Sequence, residues 1–202
     1  MSKQIDIAVI DSGGANIASV MFAIERLGRK GELTSDTDVI EKAAHVILPG
    51  VGAASDAMKS LHAVDGLVDC ITSLKQPVIG ICLGMQLLYD YSEEGGVDML
   101  GIINGEVSRF PDRDGMPVPH MGWNSLEGLS EDHPLFEGLE EKPYCYFVHS
   151  YKAPITKDTI GGSFYGESFT AVVAKDNFMG CQFHPERSGA PGSQILENFL
   201  NL

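Results

Sequence analysis

Up to residue 82 the chain alternates two hydrophobic periods. Near-continuous apolar runs at 5–11 ("IDIAVID"), 44–50 ("AHVILPG") and 77–82 ("PVIGIC") predict strands, and "GELTS" at 31–35 predicts a shorter one. Between them, "NIASVMFAIERLG" predicts a helix closed by Gly28. Met58, Leu61, Val64, Leu67 and Ile71 recur at helical spacing, which predicts a helix over 54–75. Strands apolar along their whole length, each joined to the next through a helix, imply a parallel sheet covered on both faces. From about Gly95 the texture changes to short strands and turns: "GIINGEVSRF", "MPVPHMGWNSLE", "PYCYFVHSY", "FTAVVAKDN" and "FMGCQFHPE". These predict antiparallel strands added to the edge or face of the sheet. A final helix, "GSQILENFLNL", carries Ile195, Leu196, Phe199 and Leu200 on one side. The expected fold is α/β: a three-layer, open, mostly parallel sheet with helices on both faces and added antiparallel strands in the C-terminal half. No repeat, low-complexity tract or linker interrupts the 202 residues, so one domain over 1–202 is expected.

The stretch "PVIGICLGMQ" carries the first candidate chemistry. An apolar strand stops on Cys82, with Gly80 and Gly84 two residues either side, and the helix-like pattern "MQLLYDYSEE" follows at once. In open α/β sheets functional groups collect at the carboxyl ends of strands. Gly-x-Cys-x-Gly at such an end has the form of a nucleophile elbow with cysteine in place of serine. The turn from strand to helix is tight, and side chains two residues away would strike the neighbouring strand and helix. A helix starting beside the sulfur would favour the thiolate, which is the attacking species. A buried core cysteine before a glycine turn is the bland alternative, so the pattern needs a base. Among six histidines, His45 opens a buried strand, while His62 and His133 read as solvent positions. His184, in "CQFHPERSG", is the strongest candidate. On an extended segment His184 and Glu186 point to the same side, with Pro185 stiffening the backbone between them. A carboxylate beside an imidazole fixes its tautomer and supports its protonated form.

Leu83 follows the nucleophile, so its backbone N–H is the expected first oxyanion donor. The glycine-rich "PGVG" at 49–52 is either the second donor or a plain turn. Gln86 lies at i+4 from Cys82 on the expected helix, where both would face one pocket.

Composition narrows the class further. The four cysteines, Cys70, Cys82, Cys145 and Cys181, form no CxxC pair, so neither a zinc site nor a disulfide framework is expected, and at least three should be plain buried thiols. A net charge of −14 disfavours nucleic acid and anionic membranes as partners. No apolar run approaches a membrane span and the N-terminus lacks a signal-peptide core, so a cytoplasmic location is expected.

Together, "GICLGMQ", "FHPERS" and "LPGVG" resemble the class I (triad) glutamine amidotransferases. "PHMGWN" (119–124), "YFVHSY" (146–151), "PGVGAASDAM" (49–58) and the opening D-x-G-x-x-N at Asp11, Gly13 and Asn16 resemble one branch, the glutaminase subunits of imidazole glycerol phosphate synthases. The resemblance covers the whole chain. It implies glutamine hydrolysis by Cys82, His184 and Glu186 through a γ-glutamyl thioester, with no cofactor and no metal. It implies an oxyanion donor at Val51 or Gly52, an α-ammonium contact at Glu94 and backbone contacts to substrate from Ser150 and Tyr151. It also implies a heterodimer with a cyclase subunit, a (β/α)8 barrel, that receives the ammonia. His120, read as exposed, and Trp123 suit that interface, with Asn124 and Asn16 beside them. Three departures stand out: "DSGGAN" lacks the usual aromatic after Asp11, "GAASDAM" replaces the more usual "GAFGDAM", and Arg187 stands where lysine is common. Rival readings are another triad amidotransferase, a γ-glutamyl hydrolase on the same fold, or a non-catalytic binding subunit.

Overall fold

The computed structural model describes residues 6–12 and 17–202, so Gly13 and the expected interface residue Asn16 lie outside the described residues. The elements are β1 (Ile7–Ile10), α1 (Ile17–Arg26), β2 (Gly31–Thr34), α2 (Thr37–Lys42), β3 (His45–Gly50), α3 (Ala54–His62), α4 (Leu67–Ser73), β4 (Val78–Cys82) and α5 (Leu83–Gln86). There follow β5 (Tyr89–Ser92), β6 (Val97–Asp98), β7 (Ile103–Arg109), β8 (His120–Ser125), β9 (Tyr144–His149), β10 (Tyr151–Lys152), β11 (Thr159–Phe164), β12 (Ser168–Lys175), β13 (Phe178–Cys181) and α6 (Gly189–Phe199). A seven-stranded sheet runs β11-β12-β13-β4-β3-β1-β2. From β13 to β2 neighbouring strands are parallel, while β11 and β12 extend the other edge antiparallel. Strands β10-β7-β5-β6 form a second sheet, and β8 and β9 form a separate antiparallel pair.

The near-continuous apolar strands feed two cores. Alternate residues point to opposite faces of a strand. Ala8, Ile10, Val46, Leu48 and Val78 pack on one side with Ile40, Leu61 and Ile71 from α2, α3 and α4. Ile7, Val9, Ile47, Ile79 and Ile81 pack on the other with Ile24 of α1 and Ile195, Leu196 and Phe199 of α6. Local signals set the helices. Asp36 caps α2 by accepting the N–H groups of Asp38 and Val39. Helix α1 buries Val20, Ala23 and Ile24, an i, i+3, i+4 stripe.

Three expectations are corrected. The helix expected over 54–75 is two helices, α3 and α4, because Gly66 sits at a φ of 71° where a right-handed helix cannot continue. The helix-like pattern after Cys82 ends at Gln86, and Tyr89–Ser92 is strand β5. The Leu87, Leu88 and Tyr89 carbonyls accept N–H groups from residues 100–103, so none is left for a further helical turn. The Gly-rich strand β11, "TIGGSF", was not expected at all.

Candidate active site

Cys82 is the last residue of β4, in mid-sheet, and its backbone sits at φ 54° and ψ −110°, a strained pair for a residue with a side chain. Register explains the flanking glycines. Gly50 of β3 pairs with Cys82, and Gly80 lies beside both Leu48 and Gly180. A Cβ on Gly84 would overlap the Leu48 carbonyl, and one on Gly80 would overlap the Gly84 carbonyl. A Cβ on Gly50 would stand 2.9 Å from Gly84 N. The elbow is therefore packed backbone against backbone, and the loop that begins at Gly50 is held directly beside it. Helix α5 is a single turn, so the sulfur stands at a turn rather than at the end of a long helix.

His184 arrives from the neighbouring strand. It follows β13 and opens the 3-10 turn Pro185–Arg187, so the pairing with Glu186 is made across a tight turn and not along an extended segment. His184 Nδ1 and Glu186 Oε1 are 2.8 Å apart. The His184 backbone is fixed by its N–H on the Tyr146 carbonyl of β9, at 2.9 Å, and by the Ser188 hydroxyl donating to its carbonyl at 2.7 Å. Helix α6 supports the turn from below: Gly192 lies so close to the Pro185 carbonyl that a Cβ there would overlap it. Burial alone would lower the His184 pKa. Hydrogen bonds to Cys82 and Glu186, and the charges on both, outweigh burial and push it up to about 10. Nδ1 is taken by the carboxylate, so the hydrogen bond that His184 makes to Cys82 falls to its other ring nitrogen.

The other three cysteines have no such setting. Cys145 is pushed up to about 12 by burial, and burial raises Cys70 and Cys181 too. These are inert core thiols.

A cavity of about 310 Å³ opens over Cys82, lined by Val51, Gly52, Leu83, Gln86, Glu94, Ser150, Tyr151 and His184 among others. That size falls at the small-ligand end of binding pockets. Gln86 is buried at its floor and donates both amide hydrogens, to the Tyr151 carbonyl and to Gln182 Oε1, each at 2.9 Å. Its oxygen is thus the atom left to meet a ligand. Glu94 is half-buried in the turn after β5, not at a helix end, and its Oε2 accepts the Ala54 N–H at 3.0 Å, capping α3 from a distance. Burial raises its pKa, and the Ala54 N–H works against that shift. The carbonyls of Ser150 and Tyr151 are already committed, to Phe110 N–H and to Gln86 and His149. Gly52, at φ 95°, and Val51 face the cavity from the loop after β3. The Ser12 hydroxyl, at the first departure, donates to the Pro49 carbonyl at 2.8 Å and so ties down the start of that loop.

Two neighbours of the sulfur went unassigned in the sequence. Gln182 Nε2 donates toward Cys82 Sγ at 3.8 Å, and the Val148 carbonyl lies at the same distance. Gln182 stands two residues before His184 and is fully buried; a lone amide between Cys181 and Phe183 was the available signal. His133 is half-buried rather than a solvent position, and its Nδ1 accepts the Leu135 N–H.

The expected interface residues separate. Met121 and Trp123 are 63% and 57% exposed on one face of β8, with Tyr144 of β9 exposed nearby. His120 is not exposed: it is 4% accessible and stacks between Tyr165 and Phe147, at centroid distances of 4.2 and 5.1 Å. Positions 120 and 123 fall on opposite faces of a strand, so both cannot look outward. Asn124 is half-buried and bonds to His120.

Among the described residues no cluster of three or more His, Cys, Asp or Glu could hold a metal ion, and no helix is long and apolar enough to cross a membrane.

Residues 8–202 match the family model of the class-I glutamine amidotransferases. The chain is 50% identical to an imidazole glycerol phosphate synthase subunit HisH from Xanthomonas campestris, over 98% of both chains. It is 48% identical to the proteins of the same name from Shewanella loihica, over 98% of this chain and 91% of that one, and from Yersinia pestis, over 98% and 100%. Among solved structures, PurLQS from Thermotoga maritima superposes with a TM-score of 0.76 at 19% identity, over 98% of this chain and 99% of that chain. The glutaminase domain of the CTPS of Trypanosoma brucei, solved with bound acivicin, gives 0.67 at 14%, over 98% and 91%.

Proposed function

The chain belongs to the class-I glutamine amidotransferases, in the branch of the imidazole glycerol phosphate synthase glutaminase subunits, and from that membership we propose how its own residues divide the work. The protein is a glutamine amidotransferase of histidine biosynthesis: it hydrolyses glutamine and supplies ammonia to a synthase. The whole chain acts as one amidotransferase domain.

Cys82 attacks the side-chain amide carbonyl of glutamine. His184 holds the thiol proton on the nitrogen facing the sulfur and passes it to the leaving ammonia. Glu186, 2.8 Å from Nδ1, keeps the ring in one orientation and stabilises its imidazolium. A γ-glutamyl thioester results. Water activated by the now neutral His184 attacks it, releasing glutamate and returning the sulfur. The Leu83 N–H, with Val51 or Gly52 from the adjacent loop, receives the tetrahedral oxyanion. Gln86 presents its amide oxygen to an N–H of the substrate, and Glu94 draws the α-ammonium. With the carbonyls of Ser150 and Tyr151 engaged elsewhere, these two residues shape the cavity wall and have only their remaining groups to offer the substrate.

The partner is a cyclase subunit, a (β/α)8 barrel, seated over the cavity mouth against the exposed Met121–Trp123 face, with Asn124 at its margin. It takes the ammonia and forms imidazole glycerol phosphate and aminoimidazole carboxamide ribotide. The complex works in the cytoplasm.

One observation carries this reading: a cysteine at positive φ on a central strand end faces a histidine that a carboxylate holds by its far nitrogen, over a cavity. The test is glutamate release from glutamine, by the chain alone and with a cyclase subunit. Hydrolysis that the cyclase stimulates is expected. No hydrolysis in either case would contradict the reading and favour a non-catalytic binding subunit.

A further inference from the structure

Two buried imidazoles lie outside the catalytic set and touch each other. His120 Nδ1 and His149 Nε2 are 3.0 Å apart. Hydrogen-bond directions fix both tautomers. His149 Nδ1 is 2.7 Å from the Tyr151 carbonyl oxygen, which can only accept, so Nδ1 carries the proton. Burial pushes the His149 pKa down to about 3 against the Tyr151 contact, with His120 and His184 adding to the fall, and burial alone takes His120 to about 4. Both rings are therefore neutral, and His149 Nε2 is an acceptor. His120 Nδ1 must donate to it. The remaining nitrogen, His120 Nε2, then accepts from Asn124 Nδ2 at 3.3 Å. The Asn124 amide is itself oriented, because Nδ2 also donates to the Phe164 carbonyl and Oδ1 accepts the Ser125 N–H, both at 2.9 Å.

The path continues beyond His149. The Tyr151 carbonyl that accepts from His149 also accepts from Gln86, and Gln86 in turn donates to Gln182, whose amide reaches toward the Cys82 sulfur. A single polar chain thus runs from Asn124, next to exposed Trp123 on β8, to the floor of the cavity, with every donor and acceptor assigned. Apolar rings enclose it: Phe147 and Tyr165 stack on His120, and Phe110 and Phe169 meet His149 edge-on or tilted. Two aromatic hydrocarbons would fill this space without the cost of burying four ring nitrogens, so a filler role does not account for the pair.

We propose that His120 and His149 are positioning residues, a directional hydrogen-bond relay that ties the exposed β8 face to the Tyr151 carbonyl and through it orients Gln86 toward bound glutamine. The proposal rests on Gln86 lining the glutamine pocket. It makes the β8 face and the substrate amide contact parts of one network, so that a partner seated on β8 bears on glutamine binding without touching it.

The test uses the complex with a cyclase subunit and two near-isosteric replacements. His149→Asn keeps a donor at the Nδ1 position, toward Tyr151, whereas His149→Gln keeps only the reach of Nε2. His149→Gln is expected to raise the glutamine KM roughly tenfold, the effect of losing one buried hydrogen bond, with kcat within about threefold. His149→Asn is expected to stay within about threefold of wild type in KM. His120→Phe keeps the ring stack and should raise KM about threefold, being one bond further from the pocket. Nitrogen-15 shifts of the wild-type imidazoles, read on the isolated chain, should show Nδ1–H and bare Nε2 for both residues. Equal KM values for the Asn and Gln variants, or an Nε2–H on either ring, would overturn the relay. The tautomer readout needs no turnover, so it stands or falls separately from glutaminase activity.

Discussion

The cavity has two walls, and each holds a buried histidine within reach of the same sulfur's surroundings. On the wall after β13, His184 is pushed up to about 10; on the wall at the end of β9, His149 is pushed down to about 3. Burial pulls both down. His184 differs in facing a carboxylate through Nδ1 and the cysteine through its other nitrogen, whereas His149 faces a peptide carbonyl and a neutral imidazole. At His184 the hydrogen bonds and charges of Cys82 and Glu186 outweigh burial, and at His149 a peptide carbonyl does not, which fits the proton-carrying role proposed for the first and the positioning role proposed for the second. The four cysteines teach the same lesson: all are buried, and only Cys82 has a basic partner and a cavity.

Removing the reactive wall should have the largest effect. Cys82→Ala and His184→Ala should each lower glutamine hydrolysis by about 10⁴-fold or more, since the two act as a unit. Synthesis by the complex with an added ammonium salt should survive in Cys82→Ala. Glutamine-dependent turnover above a tenth or so of wild type in that variant would remove the nucleophile assignment.

Glu186→Gln makes the first wall resemble the second. The loss in kcat should be roughly 10- to 100-fold smaller than for His184→Ala, because orientation is weakened and the base remains. Without the carboxylate the His184 pKa should fall, which an imidazole nitrogen-15 titration reads directly. A Glu186 variant worse than His184→Ala would reverse the roles.

The walls should also oppose each other in stability. His184 has a folded pKa of about 10, above the free value near 6.5. Its stabilisation is therefore complete below the free value and is lost as pH rises through 10. His149, at about 3 when folded, contributes above the free value and loses that contribution as pH falls toward 3. Urea midpoints against pH should thus lose part of their alkaline slope in His184→Asn and part of their acid slope in His149→Asn. Identical slopes in both variants would mean that the two rings have the same surroundings.

The smallest effect sharpens the loop between the walls. Ser12→Ala removes the hydroxyl that holds the Pro49 carbonyl. A loss of about 1 kcal/mol in urea unfolding is expected, with no change in glutamine KM beyond about twofold. A loss within error would mean that the loop is anchored elsewhere.

How far the sequence carried depends on whether a residue's meaning is local. Strands β1, β3 and β4 were legible because a strand buried on both faces writes one apolar run. The elbow glycines were legible because their reason lies two residues away, and so was the His184–Glu186 pair, though it is made across a turn. Helical spacing misled after Gln86, where carbonyls that would continue the helix accept N–H groups from 100–103, which no local pattern records. The break at Gly66 was readable from "VDGL", yet the apolar spacing ran through it. His120 was read as exposed beside Trp123, although strand alternation already put the two on opposite faces. Gln182 and His149 acquire their roles only from residues far along the chain, Gln86 and His120.

The most direct measurement is covalent. A chloroketone analogue of glutamine, incubated with the chain in its cyclase complex and followed by peptide mapping, should label Cys82 alone among the four cysteines, in step with loss of glutaminase activity. Labelling should vanish in His184→Ala at neutral pH, where the sulfur has lost its base. Equal labelling of Cys70, Cys145 or Cys181, or inactivation without a Cys82 adduct, would contradict the assignment of the reactive wall.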